Sequence, residues 1–97
     1  MGLKAPKELY QDAIRHNYGL GAFNTFSIEG ILAVLEACKT QRSPAIIQIS
    51  MGARKYVKHL KSYVDIIKCM AENYEMPVFI QHDHCSTVEA CKEAVDA

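Results

Sequence analysis

The stretch that most constrains the fold is Ala45-Ile46-Ile47-Gln48-Ile49-Ser50, a short and nearly continuous apolar run. A strand that meets water on one face alternates apolar and polar residues, so a run of this kind points to a strand covered on both faces, as in a parallel sheet. Helical patterns flank it. Before it, Ile28, Ile31, Leu32, Leu35 and Cys38 recur at helical spacing up to about Thr40, with Ser27 placed to cap the first turn and Arg42-Ser43-Pro44 to break the helix. After it comes a polar segment, Met51 to Lys55, read as a turn. Leu60, Val64, Ile67, Ala71 and Tyr74 then mark one face of a second long helix. That helix must stop before Pro77, because proline disfavours the helical conformation in the residue preceding it.

The rest of the chain repeats this grammar. Leu9, Tyr10, Ala13 and Ile14 fall on one side of a helix over Lys7–His16, with Pro6 suited to its first turn and Asn17-Tyr18-Gly19 ending it. Gly21 to Phe26 reads as a strand, and so does Val78 to Asp83. Ser86 and Glu89 form a capping-box pattern that opens a last helix, on which Val88, Cys91 and Val95 are the apolar positions. A helix followed by three strand-helix units, joined by short connections, predicts an α/β fold with parallel strands and right-handed crossovers. No linker or low-complexity segment divides residues 1–97, so they are expected to be one domain or one piece of a domain.

Composition removes several function classes. The chain has 97 residues with 11 Lys+Arg against 11 Asp+Glu, which gives no general electrostatic reason to bind nucleic acid or an anionic membrane surface. Its apolar runs are too short to span a bilayer, and Met1-Gly2-Leu3-Lys4 lacks the apolar stretch of a signal peptide, so a cytoplasmic location is expected. Cys38, Cys69, Cys85 and Cys91 form no CxxC pair, and Cys38 and Cys91 fall in apolar helical positions, which suits reduced thiols.

In parallel α/β folds ligands lie beyond the carboxyl ends of the strands, where loops gather side chains around one point. Those ends offer Asn24, then Ser50 followed by Gly52, then Asp83 and His84 with His82 just before them. Imidazole is a good zinc ligand, and a carboxylate beside a metal can exchange a proton with bound substrate. Strand alternation places His82 and Asp83 on opposite faces, whereas Asp83 and His84 can converge if the backbone turns between strand and loop. A closed zinc site of His82, His84, Cys85 and Cys91 is a weaker alternative, because the spacing lacks paired ligands and Cys91 belongs to an apolar stripe. Arg54, Lys55, Lys58 and Lys61 read as a solvated helix start, and GxGxxG, Walker and GxSxG motifs are absent.

Taken together, Gly21-Ala22-Phe23-Asn24, the segment Ser43-Pro44 through Ser50 with Gly52-Ala53-Arg54-Lys55-Tyr56, and Pro77-Val78 leading to His82-Asp83-His84 resemble the N-terminal part of class II, zinc-dependent fructose-bisphosphate aldolases. The resemblance implies the initial helix and first three β/α units of a TIM (β/α)₈ barrel. It assigns Asp83 to the catalytic aspartate that exchanges a proton with the C4 hydroxyl of the ketose bisphosphate, and His84 to the first of three histidine zinc ligands. Asn24 and Ser50 correspond to positions facing the substrate. Zinc would polarise the ketone of dihydroxyacetone phosphate as a Lewis acid and stabilise the enediolate, with no Schiff-base lysine required. A sugar-phosphate substrate and a homodimer of the full-length protein are implied as well.

The sequence departs from the family's motif of histidine, a variable residue and Asp-His-Gly at two places. Gln81 replaces the first histidine and Cys85 replaces the glycine, which puts the loop and the substrate preference in question. Tagatose-bisphosphate aldolases share this N-terminal pattern. A complete barrel needs about 250 residues, so the remaining zinc histidines, a proton-handling glutamate and the main phosphate loops are expected outside this chain. The isolated chain is therefore expected to be inactive, and a non-catalytic truncated α/β interaction module is the other reading.

Overall fold

The structure, a computed structural model, describes residues 5–97. Met1-Gly2-Leu3-Lys4, on which the signal-peptide reading rests, lies outside the described residues. The elements run α1 (Pro6–His16), β1 (Gly21–Asn24), α2 (Ile28–Gln41), β2 (Ala45–Ser50), α3 (Met51–Val57), α4 (Leu60–Ala71), β3 (Val78–Asp83) and α5 (Val88–Asp96).

Local signals account for most boundaries. Pro6 opens α1, where its missing N–H costs nothing, and Asn17 closes it in the left-handed region at φ 56°. The Ser27 hydroxyl accepts from the Gly30 N–H at 3.1 Å and caps α2 as expected. The β2 run has the bounds read from its apolar pattern, Ala45 to Ser50.

Four boundaries differ from the sequence expectation. Met51 to Lys55 is part of the helix α3 and not a turn, because the Ser50 hydroxyl accepts from Ala53 N–H at 3.1 Å and supplies a cap that the polar composition hid. Strand β1 ends at Asn24 instead of Phe26; the Thr25 N–H still donates to the Gln48 carbonyl at 2.9 Å before the chain turns toward the α2 cap. Helix α4 ends at Ala71, and Tyr74 reaches the core from the turn that follows. Finally, α5 is capped by Thr87 and not Ser86, since the Thr87 hydroxyl accepts from Ala90 N–H at 3.0 Å.

The expected apolar stripe of α5 is also displaced. Val88 and Val95 are 72% and 85% exposed and Cys91 is exposed, while Ala90 is buried and Ala94 and Ala97 pack against the core. The side of α5 turned to the rest of the chain thus carries small alanines, and the larger residues of the stripe are left at its margin.

The sheet has the strand order β1-β2-β3, with both pairs parallel. Its two faces are covered unequally. Ala45, Ile47, Ile49 and Val78 join Ile31, Leu35 and Cys38 of α2 and Leu60, Val64 and Ile67 of α4 in one core, within which Ile31, Leu35, Ile47, Ile67 and Val78 are fully buried. Each such side chain contributes roughly 1.5–3 kcal/mol by leaving water. On the other face Ile46 and Phe79, each the second residue of its strand, form a smaller cluster with Leu9 of α1 and the half-buried Leu20. Tyr10 adds an edge-to-face ring contact with Phe79 at 5.7 Å. Helix α1 thus covers the amino end of this second face and leaves its carboxyl end open. This is the arrangement expected of the opening of a (β/α)₈ barrel.

Candidate active site

Register decides which side chains can meet. Gln48 pairs with Asn24 on one side and Gln81 on the other, and Ser50 pairs with Asp83. Residues paired across a parallel sheet share a face, and so do residues two apart on one strand. Asn24, Ser50 and Asp83 therefore all lie on the face that α2 and α4 do not cover, above Ile46 and Phe79. His82 pairs with Ile49 and lies on the opposite, helix-covered face, as alternation requires.

Going up from the α1 floor, the side chains change character. The first layer is apolar, with Ile46 and Phe79. The next is a row of three carboxamides, Asn24, Gln48 and Gln81, in which the Gln48 Nε2 donates to the Gln81 Oε1 at 3.2 Å. The top layer is Ser50 and Asp83. Gln48 was not singled out in the sequence, where it reads as the one polar interruption of an apolar strand; its register partner at Gln81 is the signal that gives it meaning.

The chain leaves the sheet at His84, which has φ 53°, in the left-handed region that non-glycine residues seldom occupy. This turn does what alternation alone would forbid: it swings the imidazole to the face of Asp83. His84 Nε2 lies 3.6 Å from Asp83 Oδ2, and the side chains are 89% and 26% exposed respectively. Asp83 sits in a recess and His84 stands free at its rim.

Each expected site residue can also be asked what else it does. The Ser50 oxygen is occupied as acceptor for Ala53 N–H, which leaves its O–H proton to donate to a ligand. Asn24 is exposed at the end of β1. His84 offers one imidazole with an accessible nitrogen, which fits one ligand of an open zinc site. Among the described residues no group of three or more His, Cys, Asp and Glu side chains could hold a metal. The closed site of His82, His84, Cys85 and Cys91 is therefore not formed: His82 turns to the helix side and His84 to the other.

His82 instead meets Cys85, whose Sγ lies 3.1 Å from Nδ1. Partial burial, aided by the neighbouring Cys91 thiol, pushes the Cys85 thiol above its ordinary range, and the Arg54 guanidinium works against that shift. Arg54 itself ties α3 to α5, donating to the Glu93 carboxylate at 2.9 Å and the Ala90 carbonyl at 3.3 Å. The expected solvated basic segment therefore contains one structural clamp.

Comparison with known proteins agrees with this arrangement. Residues 4–97 match the family model described as fructose-bisphosphate aldolase class-II. The chain is 38% identical over its whole length to a fructose-bisphosphate aldolase of Geobacillus stearothermophilus and 35% identical to one of Staphylococcus aureus, spanning 34% and 35% of those proteins. It thus spans about a third of the length of the curated relatives it matches.

Among solved structures, the YdjI aldolase of Escherichia coli K12 superposes with a TM-score of 0.87 at 23% identity, over 97% of this chain and 36% of that one. At that identity the likeness speaks for the fold. The fructose-bisphosphate aldolase of Campylobacter jejuni gives a TM-score of 0.83 at 27% identity, over 94% of this chain and 30% of the other. With a family match running from residue 4 to residue 97 and a sheet that sets the motif residues on one face, the chain belongs to the class II fructose-bisphosphate aldolase family.

Proposed function

We propose that these residues form the N-terminal portion of a single barrel domain whose full-length protein catalyses zinc-dependent aldol cleavage and condensation of fructose 1,6-bisphosphate, to and from dihydroxyacetone phosphate and glyceraldehyde 3-phosphate. The observation that carries this reading is the meeting of Asp83 and His84 at the end of β3, 3.6 Å apart, on the face that also bears Asn24 and Ser50. It rests further on the family to which the chain belongs. A homodimeric, cytoplasmic enzyme of sugar-phosphate metabolism is part of the same reading; no helix among the described residues is long and apolar enough to cross a membrane.

In this mechanism His84 would supply one zinc ligand, and the rest of the set would come from outside these residues. A zinc ion held there would supply Lewis-acid polarisation of the substrate ketone. Asp83, recessed but open to the carboxyl end of the sheet, takes the C4 hydroxyl proton in cleavage and returns it in condensation. Ser50 holds substrate oxygen with the O–H proton left over from its capping role, and Asn24 presents its carboxamide from the neighbouring strand.

The test uses the full-length protein. Asp83→Ala should keep its zinc and lose about 10²–10⁴-fold in cleavage rate, the range for a lost general acid-base, whereas His84→Ala should lose zinc in metal analysis. An Asp83→Ala enzyme that turns over normally would sink the assignment of roles. Assay of both bisphosphates decides between fructose and tagatose substrates.

A further inference from the structure

A second cluster of reactive side chains lies on the helix side of β3, away from the proposed catalytic face. His82, Cys85 and Cys91 line one cavity of about 500 Å³ together with Ile49, Leu60 and Val64. His82 Nδ1 is 3.1 Å from Cys85 Sγ, and Cys85 and Cys91 both present their thiols to this one cavity. The two cysteines differ in access: Cys91 is exposed on α5 and Cys85 is half-buried in the loop before it. Cys38 is buried in the α2 core, and Cys69 is exposed on α4.

We propose that Cys85 and Cys91 form a dithiol modification site that hydrogen peroxide converts into an intramolecular disulfide. The exposed sulfur reacts first. Cys91 attacks one peroxide oxygen, the O–O bond breaks, and a sulfenic acid forms at Cys91 with release of water. Cys85 then attacks the Cys91 sulfur; the S–S bond forms, the S–O bond breaks, and the Cys91 hydroxyl leaves with the Cys85 proton as a second water. The sulfur pair gives up two electrons in all and the peroxide accepts them. The contact with His82 keeps the Cys85 sulfur on the cavity side of the loop, facing the partner it must reach.

The site is built from neighbours that would otherwise have no reason to share a cavity. Cys85 follows the left-handed residue His84, whose turn is what brings the next side chain back toward α5. The disulfide would therefore tether the end of β3 to the first turns of α5.

The experiment exposes the full-length protein to one equivalent of hydrogen peroxide, alkylates the remaining thiols and cleaves after glutamate. Cleavage at Glu75, Glu89 and Glu93 separates Cys85, in the peptide 76–89, from Cys91, in the peptide 90–93. The expected product is these two peptides joined and released by reduction, with Cys38 and Cys69 alkylated. Cys85→Ser should abolish the joined product and leave Cys91 as a sulfenic acid, trapped by dimedone, that a second equivalent of peroxide carries to the sulfinic acid. If that variant does not fold, the exposed Cys91→Ser should leave Cys85 alkylatable after the same treatment. Over-oxidised Cys91 beside a free Cys85 in the unaltered protein, a bond from either residue to Cys69, or a bond between two molecules would each overturn the proposal. The readout is a covalent mass, so it stands or falls separately from aldol cleavage.

Discussion

The two faces of the same three strands are built on opposite plans. On one, Ile47 and Val78 are fully buried together with Ile31 and Leu35 of α2 and Ile67 of α4. On the other, Ile46 and Phe79 are sealed by α1 near the strand starts, and from Gln48 upward every side chain is polar. Adjacent residues of β2 therefore belong to different economies: Ile47 and Ile49 hold the fold, while Gln48 and Ser50 face the open end. Because side chains alternate, one hexapeptide can serve both faces without compromise on either. The lesson is that stability and chemistry in this chain are separated by residue parity and not by distance along the sequence.

Substitutions on neighbouring residues test that separation. In the full-length protein Ile47→Ala should cost about 2–5 kcal/mol, the range for truncating a fully buried aliphatic residue, read as a lowered midpoint in urea unfolding. Its neighbour Gln48→Ala should cost only about 0.5–1.5 kcal/mol, the net worth of one hydrogen bond, because the bond to Gln81 is what it loses. Equal losses at the two positions would break the distinction between the faces. Thr87→Ala, which removes the α5 cap, should cost about 1 kcal/mol, and Ser86→Ala should cost less if Thr87 is the cap.

The smallest effect lies in pH dependence, at the contact between α1 and the loop after it. The Tyr18 hydroxyl donates to Asp12 at 2.6 Å, which lowers the Asp12 pKa and raises that of Tyr18. A lowered aspartate pKa gives stability that is present above the ordinary carboxylate value and is lost as pH falls through the folded value. A raised tyrosine pKa gives stability that is present below the ordinary value of 10.0 and lost as pH rises through the folded one. Tyr18→Phe should flatten both limbs of the stability profile measured by thermal unfolding. Because this pair lies outside both faces, it should leave the contrast between Ile47 and Gln48 unchanged.

What could be read from the sequence follows the strength of local signals. The β2 bounds and the Ser27 cap are fixed by runs and cap chemistry that need no tertiary context. The convergence of Asp83 and His84 was legible as a possibility, since a residue at a strand end is free to turn; the turn itself is the φ of 53° at His84. Helix α3 was hidden because its capping hydroxyl belongs to Ser50, the last residue of a strand. The wrong stripe on α5 has a related cause. Hydrophobicity favours Val88, Cys91 and Val95, but the side that faces the core is the one bearing the small residues Ala90, Ala94 and Ala97, which a hydrophobicity pattern underweights. The carboxamide row was invisible because it exists only in the cross-strand register of three separate segments.

Helix α1 also gives the sheet a direction that hydrogen bonding alone would not. Between Phe79 and Asp83 the strand rises by about 13 Å, at about 3.3 Å per residue. Over that span the surroundings pass from a dry floor through neutral dipoles to a carboxylate at the rim. Among the described residues Leu9 and Tyr10 cover the floor beneath it at Phe79. The strand thus carries a gradient of polarity along its own length, with its single carboxylate at the open end.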